Sequence, residues 1–260
     1  MIEERSVEPI AAPPARIDAA TTALFVDLDG TVVDFAERPD AVRVEPGVRT
    51  ALRRLSELLG GALAPISGRP LHEIDALLGL PRTAAAGLHG AELRGPDGRL
   101  IDAPRDDARL AAARVRAAAR LAQCPGLVLE DKRSALALHY RGAPAFAGEA
   151  RRLGAELLEL AGPGYELLHG NQVVELKPSG SDKGSALAAL MRMPPFAGRT
   201  PWMLGDDLTD EHAFERADAL GGFGILVGAR RPTRARRALP DPDAARAWLA
   251  ALVAAAEAAA

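Results

Sequence analysis

An unbroken apolar run, Ala23-Leu24-Phe25-Val26, leads directly into Asp27-Leu28-Asp29-Gly30-Thr31. Consecutive apolar residues followed by a polar turn read as a strand buried on both faces, the condition of a parallel sheet covered by helices. Carboxylates at the carboxyl end of such a strand sit where open α/β sheets place their ligands. The flanking segments repeat the pattern. Pro46 opens a helix carrying Val48, Leu52, Leu55, Leu58 and Leu59, and Gly60-Gly61 stops it. Residues 62–66 read as a second strand ending in Ser67-Gly68-Arg69; Pro70 starts a helix to about Leu78, and 83–88 read as a third strand. From Asp182 the alternation resumes with a helix to about Met193, a strand over 201–205 and a helix over 209–217. A strand over 223–227 and a C-terminal helix from about 242 complete it. Strands separated by helices of this length imply an α/β fold with a parallel sheet.

The middle of the chain has a different rhythm. Gly95-Pro96-Asp97-Gly98 marks a hairpin turn. Beyond it the patterns predict a helix over 105–121, strands over 126–130 and 134–141, a helix over 144–160, and strands over 164–169 and 172–177. That is a helix-strand-strand unit occurring twice, the mark of a small antiparallel α+β module. The expected organisation is a flexible tail over 1–20, a parallel-sheet core over 21–95 and 179–260, and an inserted module over 96–178, with hinges near 93–97 and 178–181. In the strand 134–141, Leu136, Leu138 and Tyr140 share one face, and His139 and Arg141 the other. In 172–177, Val174 and Leu176 share one face, and Val173, Glu175 and Lys177 the other. The apolar faces suit packing on the two helices, and the charged faces suit either solvent or a ceiling over a site.

Charge excludes several classes of function. With 32 basic and 35 acidic residues the net charge is −3, which argues against a general nucleic-acid binder. A single cysteine, Cys124, rules out a disulfide framework within the chain. The longest apolar run, Ala247–Ala256, is too short to span a bilayer, and the N-terminus lacks a basic-then-apolar leader. A soluble cytoplasmic protein is expected. Of the basic residues 29 are arginine, so Lys132, Lys177 and Lys183 mark places where a compact ammonium is wanted in preference to a guanidinium fork. The basic run over 230–237 reads as a solvated loop. His89 and His139 form no cluster at metal-ligand spacing and read as structural or peripheral.

Three polar clusters fall at strand ends: Asp27-x-Asp29-Gly30-Thr31, Ser67-Gly68-Arg69 and Gly205-Asp206-Asp207. Lys183 opens a helix in the same core. Each alone is ordinary turn chemistry; all four in order, each at the end of its element, point to one site. Asp27, Asp29, Asp206 and Asp207 supply an all-oxygen set that suits Mg²⁺. Such an ion would screen the charge of a phosphate from an attacking carboxylate, so Asp27 can act as nucleophile and Asp29 as acid and then base. Ser67 offers a hydroxyl donor, and Lys183 an ammonium at a helix N-terminus.

Asp27-Leu28-Asp29-Gly30-Thr31, Ser67, Lys183 and Gly205-Asp206-Asp207 together resemble the motifs of the haloacid-dehalogenase superfamily over about residues 22–228. The resemblance implies a Rossmann-like core with a cap inserted between the second and third motifs, and hydrolase chemistry. Ile66-Ser67-Gly68-Arg69, Gly87-Leu88-His89-Gly90-Ala91-Glu92, Glu130-Asp131-Lys132, Val174-Glu175-Leu176-Lys177-Pro178 and Gly205-Asp206-Asp207-Leu208-Thr209-Asp210-Glu211 further resemble the trehalose-6-phosphate phosphatase family. That narrower resemblance implies Mg²⁺-dependent hydrolysis of trehalose 6-phosphate, with Asp27, Asp206 and the main-chain carbonyl of Asp29 holding the metal. It places Glu130, Lys132, Arg141 and Glu175 on the sugar hydroxyls, Leu28, Asp29 and Arg69 on the substrate, and Asp207 and Asp210 in support. The implied partner is the small-molecule substrate alone, with no nucleic acid and no membrane, for a monomer coupled functionally to trehalose-6-phosphate synthase. Two alternatives stand beside this: a phosphatase for another sugar phosphate, such as a sucrose or mannosylglycerate phosphate, and an idle domain regulating a trehalose-synthesising enzyme.

Overall fold

The computed structural model describes residues 10–34, 42–102, 109–170 and 172–258. In chain order, β1 (Thr22–Val26), α1 (Pro46–Leu58), β2 (Leu63–Pro65), α2 (Leu71–Leu78) and β3 (Ala85–Gly87) precede the short strands β4 (Glu92–Arg94) and β5 (Leu100–Asp102). Next come α3 (Arg109–Leu121), β6 (Val128–Asp131), β7 (Leu136–His139), α4 (Ala147–Ala161), β8 (Tyr165–Gly170) and β9 (Val173–Pro178). The chain closes with α5 (Lys183–Leu190), β10 (Thr200–Gly205), α6 (Glu211–Ala219), β11 (Phe223–Val227), β12 (Arg237–Leu239) and α7 (Pro242–Glu257).

β1 is buried along its whole length, as its composition requires, and forms the interior of a parallel sheet in the order β12-β11-β10-β1-β2. Helices α1 and α7 pack on each other, as do α5 and α6, and both pairs bury their apolar residues with the sheet. Phe25 of β1 stacks on Phe196 at 5.4 Å, and Trp202 of β10 lies 5.0 Å from Phe223. This α/β architecture sets the carboxyl ends of β1, β2 and β10 side by side.

The inserted module is a four-stranded antiparallel sheet in the order β6-β7-β9-β8. Leu136, Leu138, Val174 and Leu176 line its apolar face and pack with Leu110, Ala113 and Ala117 of α3 and Ala150, Leu153 and Leu157 of α4. This cluster shares no residue with the core cluster around β1. The helix expected from 105 is described from Arg109 onward, its start lying outside the described residues.

Four expectations about organisation are corrected. β3 touches the parallel sheet only through the bridge Ile66–Ala86, and pairs instead antiparallel with β4, which pairs with β5. The turn Leu88–Gly90 between β3 and β4 is too short for a parallel crossover, so the chain can only fold back. The boundary at 95/96 therefore fails on this side, because β5 belongs with the core strands. Residues 95–98 form the tip of that hairpin, with Gly95 N–H donating to Arg99 O at 2.9 Å, and no hinge lies at 93–97. The crossing into the module falls on 103–108, outside the described residues. Of the expected tail, 1–9 lie outside the described residues and 10–20 are tied down. Trp248 Nε1 donates to Pro14 O at 2.8 Å, and Ala238 N to Ala11 O at 3.0 Å. A largely buried indole needs an acceptor, and the outer edge of β12 offers the chain a ladder. The basic run over 230–237 is largely solvated, as expected, and is also anchored to α6: Arg230 pairs with Glu211, Arg234 with Glu215 at 2.9 Å and Arg236 with Asp218 at 2.5 Å. Arg237 at its end begins β12.

No described helix is long and apolar enough to cross a membrane.

Candidate active site

Asp27 follows β1 directly, its N–H continuing the ladder to Leu204 O at 2.9 Å, and the residue is 4% exposed. Asp206 directly follows β10. Thr31 Oγ1 ties the two strand ends together, donating to Asp206 Oδ1 at 2.9 Å and lying 3.3 Å from Asp27 Oδ2. Asp210, fully buried, pins the loop after β10: its Oδ2 accepts from the N–H groups of Asp206 and Asp207, both at 3.0 Å. A Cβ on Gly205 would lie 2.3 Å from Asp210 Cγ, so only glycine lets this carboxylate fold back under the strand end.

Lys183 is the first residue of α5, and its placement is a capping effect. Ser185 N–H donates to Asp182 Oδ1 at 2.7 Å, and Asp182 N–H to Ser185 Oγ at 3.0 Å, a reciprocal box that fixes the first turn. Lys183 Nζ then lies 2.8 Å from Asp27 Oδ1 and donates to Asp210 Oδ1 at 2.8 Å. Burial alone would lower its pKa; Asp210 and Asp27 reverse this and hold it well above the ordinary lysine value.

Oxygen atoms of Asp27, Asp206 and Asp210 lie within 4.8 Å of one another, a group that suits a metal ion. Both Asp210 oxygens already accept N–H bonds, which leaves Asp27 and Asp206 to offer ligand atoms. Burial pushes the Asp27 carboxyl up to about 7 and the Asp206 carboxyl to about 9, with the neighbouring carboxylates adding to the rise and Lys183 opposing it. When both are ionised, a buried carboxylate pair of this kind holds negative charge beyond what one ammonium balances, and a hard cation would absorb it in place of protons.

Ser67 follows β2 with Ile66, is buried, and accepts the Arg69 N–H on Oγ at 3.2 Å. Arg69 grips the Asp29 carboxylate with Nε and Nη2, both at 2.7 Å, and reaches Glu73 with Nη1 at 3.0 Å.

Facing these groups is the polar side of the inserted sheet. Asp27, Asp29, Ser67, Lys183, Glu130, Lys132, Arg141 and Glu175 line one cavity of about 150 Å³. Lys132 Nζ bridges the two halves, donating to Gly68 O at 2.9 Å and to Glu175 Oε2 at 3.0 Å. Burial would raise the Glu175 carboxyl, but Lys132 and His89 hold it well below the usual carboxylate range. Glu130 is likewise lowered against its burial, by His139 at 2.7 Å and by Lys132. All three lysines of the chain are buried, at 9% (Lys132), 4% (Lys177) and 2% (Lys183) exposure, and each lies against a carboxylate.

Residues 25–243 match the model of the family described as trehalose-phosphatase. The chain belongs to the trehalose-phosphatase family. It is 44% identical over 238 residues to a Sinorhizobium fredii protein named probable trehalose-phosphate phosphatase, covering 90% of this chain and 89% of the relative. It is 40% identical over 236 residues to the trehalose-6-phosphate phosphatase of Escherichia coli K12, covering 91% and 88%. Its fold is similar, with a TM-score of 0.77 at 21% identity, to the C-terminal domain of the C. albicans trehalose-6-phosphate phosphatase, covering 90% of this chain and 92% of that one.

In this trehalose-phosphatase chain the expected core and cap residues converge, with three adjustments. Leu28 does not line the cavity: its side chain is fully buried in the core, and its carbonyl accepts from Thr31, Val32 and Val33 N–H. The Arg69 guanidinium is engaged by Asp29 and Glu73, which makes it a holder of Asp29. The Asp29 side chain, gripped in this way, stands outside the Asp27–Asp206–Asp210 group. Asp207 lines the cavity and also caps the next turn, accepting from Leu208 N–H at 2.6 Å. Sequence reasoning missed Thr31 as the tie between strand ends, and it set aside His89 and His139, which both line the cavity. For the histidines a signal was present: His89 lies in a glycine-flanked turn directly after β3, and His139 sits on the same strand face as Arg141.

Proposed function

We propose that this chain removes the phosphate from trehalose 6-phosphate, giving trehalose and inorganic phosphate, with Mg²⁺ as cofactor. The observation that carries this reading is the Lys183–Asp27 contact beside Asp206, enclosed by a ceiling whose Glu130, Lys132, Arg141 and Glu175 suit sugar hydroxyls. Asp27 and Asp206 would hold the Mg²⁺ ion, which when bound neutralises part of the phosphate charge. Asp27 Oδ attacks phosphorus as the ester bond to the sugar breaks, and Asp29 gives its proton to the leaving sugar oxygen. Asp29, now a carboxylate, takes a proton from water, whose oxygen attacks the aspartyl phosphate and frees phosphate from Asp27. Lys183 and the Ser67 hydroxyl hold the phosphoryl oxygens throughout, and Arg69 keeps Asp29 in place.

A phosphate-release assay tests this with trehalose 6-phosphate, sucrose 6-phosphate, glucose 6-phosphate and an aryl phosphate, before and after chelation. Trehalose 6-phosphate should be preferred, chelation should silence turnover and added Mg²⁺ restore it. Asp27→Asn should abolish turnover and show no phosphate adduct by intact mass. Preference for another sugar phosphate would overturn the substrate, and an adduct on Asp27→Asn would overturn the nucleophile.

A further inference from the structure

His89 lies in the turn Leu88–Gly90 with a backbone few residues other than glycine adopt: φ is 48° at Leu88 and 55° at His89. Strained positions of this kind persist where the surroundings hold them and cluster at functional sites. Here the conformation lays the imidazole over Gly68, where an added Cβ would stand 2.6 Å from Nε2. The ring is thus wedged between the loop after β2 and the cap, with Nε2 3.6 Å from Glu175 Oε2. The same oxygen accepts from Lys132 Nζ, which also donates to Gly68 O. Gly68, Lys132, Glu175 and His89 therefore form a closed ring of contacts, two members from the core and two from the cap. Two atoms in this ring are buried without a partner: Glu175 Oε1 and His89 Nδ1. Buried acceptors left unmet in a cavity wall call for a donor from a ligand.

We propose that His89 is a positioning residue: from the core it steadies Glu175, so that Oε1 of that carboxylate is presented to a substrate hydroxyl. This rests on the proposed sugar-phosphate activity. The buried ring is held neutral by burial, with Lys183 and Lys132 acting in the same sense against Glu175.

His89→Ala, His89→Gly and His89→Gln, assayed on trehalose 6-phosphate and on para-nitrophenyl phosphate, separate this role from a structural one. His89→Ala should raise KM for trehalose 6-phosphate about tenfold, through the loss of one close contact that steadies the Glu175 carboxylate. Turnover of the aryl phosphate, which has no hydroxyl for Glu175, should stay within about twofold. His89→Gly relieves the left-handed backbone and should show the same KM effect in a protein that melts no lower than wild type. His89→Gln, whose amide nitrogen reaches as far as Nε2, should recover most of the loss. Adding His89→Ala to Glu175→Gln should cost little beyond Glu175→Gln alone. Parallel losses on both substrates, no recovery in His89→Gln, or full additivity with Glu175→Gln would each overturn the proposal. Should wild type fail to use trehalose 6-phosphate, the substrate reading falls and ¹⁵N NMR of the ring decides instead. A His89 signal of the Nε2–H tautomer that shifts in Glu175→Gln supports the contact, and an unmoved signal overturns it.

Discussion

Arg69 presents a planar fork to Asp29, and a lysine cannot reproduce two parallel bonds to one carboxylate. If Asp29 carries the proton to and from the leaving oxygen, its position matters more than its affinity for substrate. Arg69→Lys should therefore lower kcat by about 10- to 100-fold, on the scale of a lost charged hydrogen bond, and leave KM near wild type. Steady-state kinetics check this, and a change confined to KM would show Arg69 meeting the substrate itself. His89 makes a second residue-scale prediction, about stability. Its folded pKa lies below the ordinary value of 6.5, because burial disfavours the charged ring. The unfolded chain thus binds a proton that the folded chain refuses once pH falls below about 6.5, and stability is lost as pH drops through that window. Glu175 does not interfere there: its lowered pKa confines its own contribution to pH below the ordinary 4.5, where stability falls as the carboxylate protonates. As pH falls below about 6.5, wild type should lose stability that His89→Gln keeps, measured by urea unfolding across that window.

At the scale of elements, two helices carry the same N-cap chemistry with different consequences. Asp182 caps α5 through Ser185 N–H at 2.7 Å, and Asp241 caps α7 through Ala244 N–H at 2.8 Å. Asp182→Ala and Asp241→Ala should each cost about 1 kcal/mol of stability by denaturant unfolding. Only Asp182→Ala should also depress turnover, by tenfold or more, because the first turn it fixes places Lys183 on Asp27. Equal activity in the two variants would mean that packing alone orients Lys183. The placement of Lys183 at a helix start was legible in the sequence, since the βα alternation resumes from Asp182. So were Asp27, Ser67 and Asp206, which simply follow buried strands, and Glu175 and Lys177, which strand alternation separates from Val174 and Leu176. The failures share a cause. β4, β5 and β12 are three residues long, too short for periodicity to show, and their partners are chosen by long-range hydrogen bonding. The left-handed turn at His89 and the bidentate grip of Arg69 likewise depend on neighbours distant in sequence.

The whole molecule is two apolar cores meeting across a polar seam. Contacts across that seam include Lys132 with Gly68 O and Glu175 with His89, and the half-open cavity between the two halves is about 150 Å³. Pockets that take drug-sized ligands begin near roughly 300 Å³, so a phosphorylated disaccharide overfills this space, and a cap that shifts on the core to admit and cover it is expected. Lys132 is then more than a reader of hydroxyls, because its ammonium joins both halves. Glu130 differs: its partner at hydrogen-bond distance is His139, within the cap. Glu130→Ala should lower kcat/KM for trehalose 6-phosphate by about 10- to 150-fold and spare a small aryl phosphate. Lys132→Met, which keeps most of the stem and removes the charge, should lower both activities, since an unclosed cap leaves the phosphoryl group wet. Small-angle scattering should show Lys132→Met with a larger radius of gyration than wild type, and Glu130→Ala unchanged. Should Lys132→Met spare the aryl phosphate and keep the wild-type dimensions, Lys132 reads the sugar only and closure rests on Glu175 and His89.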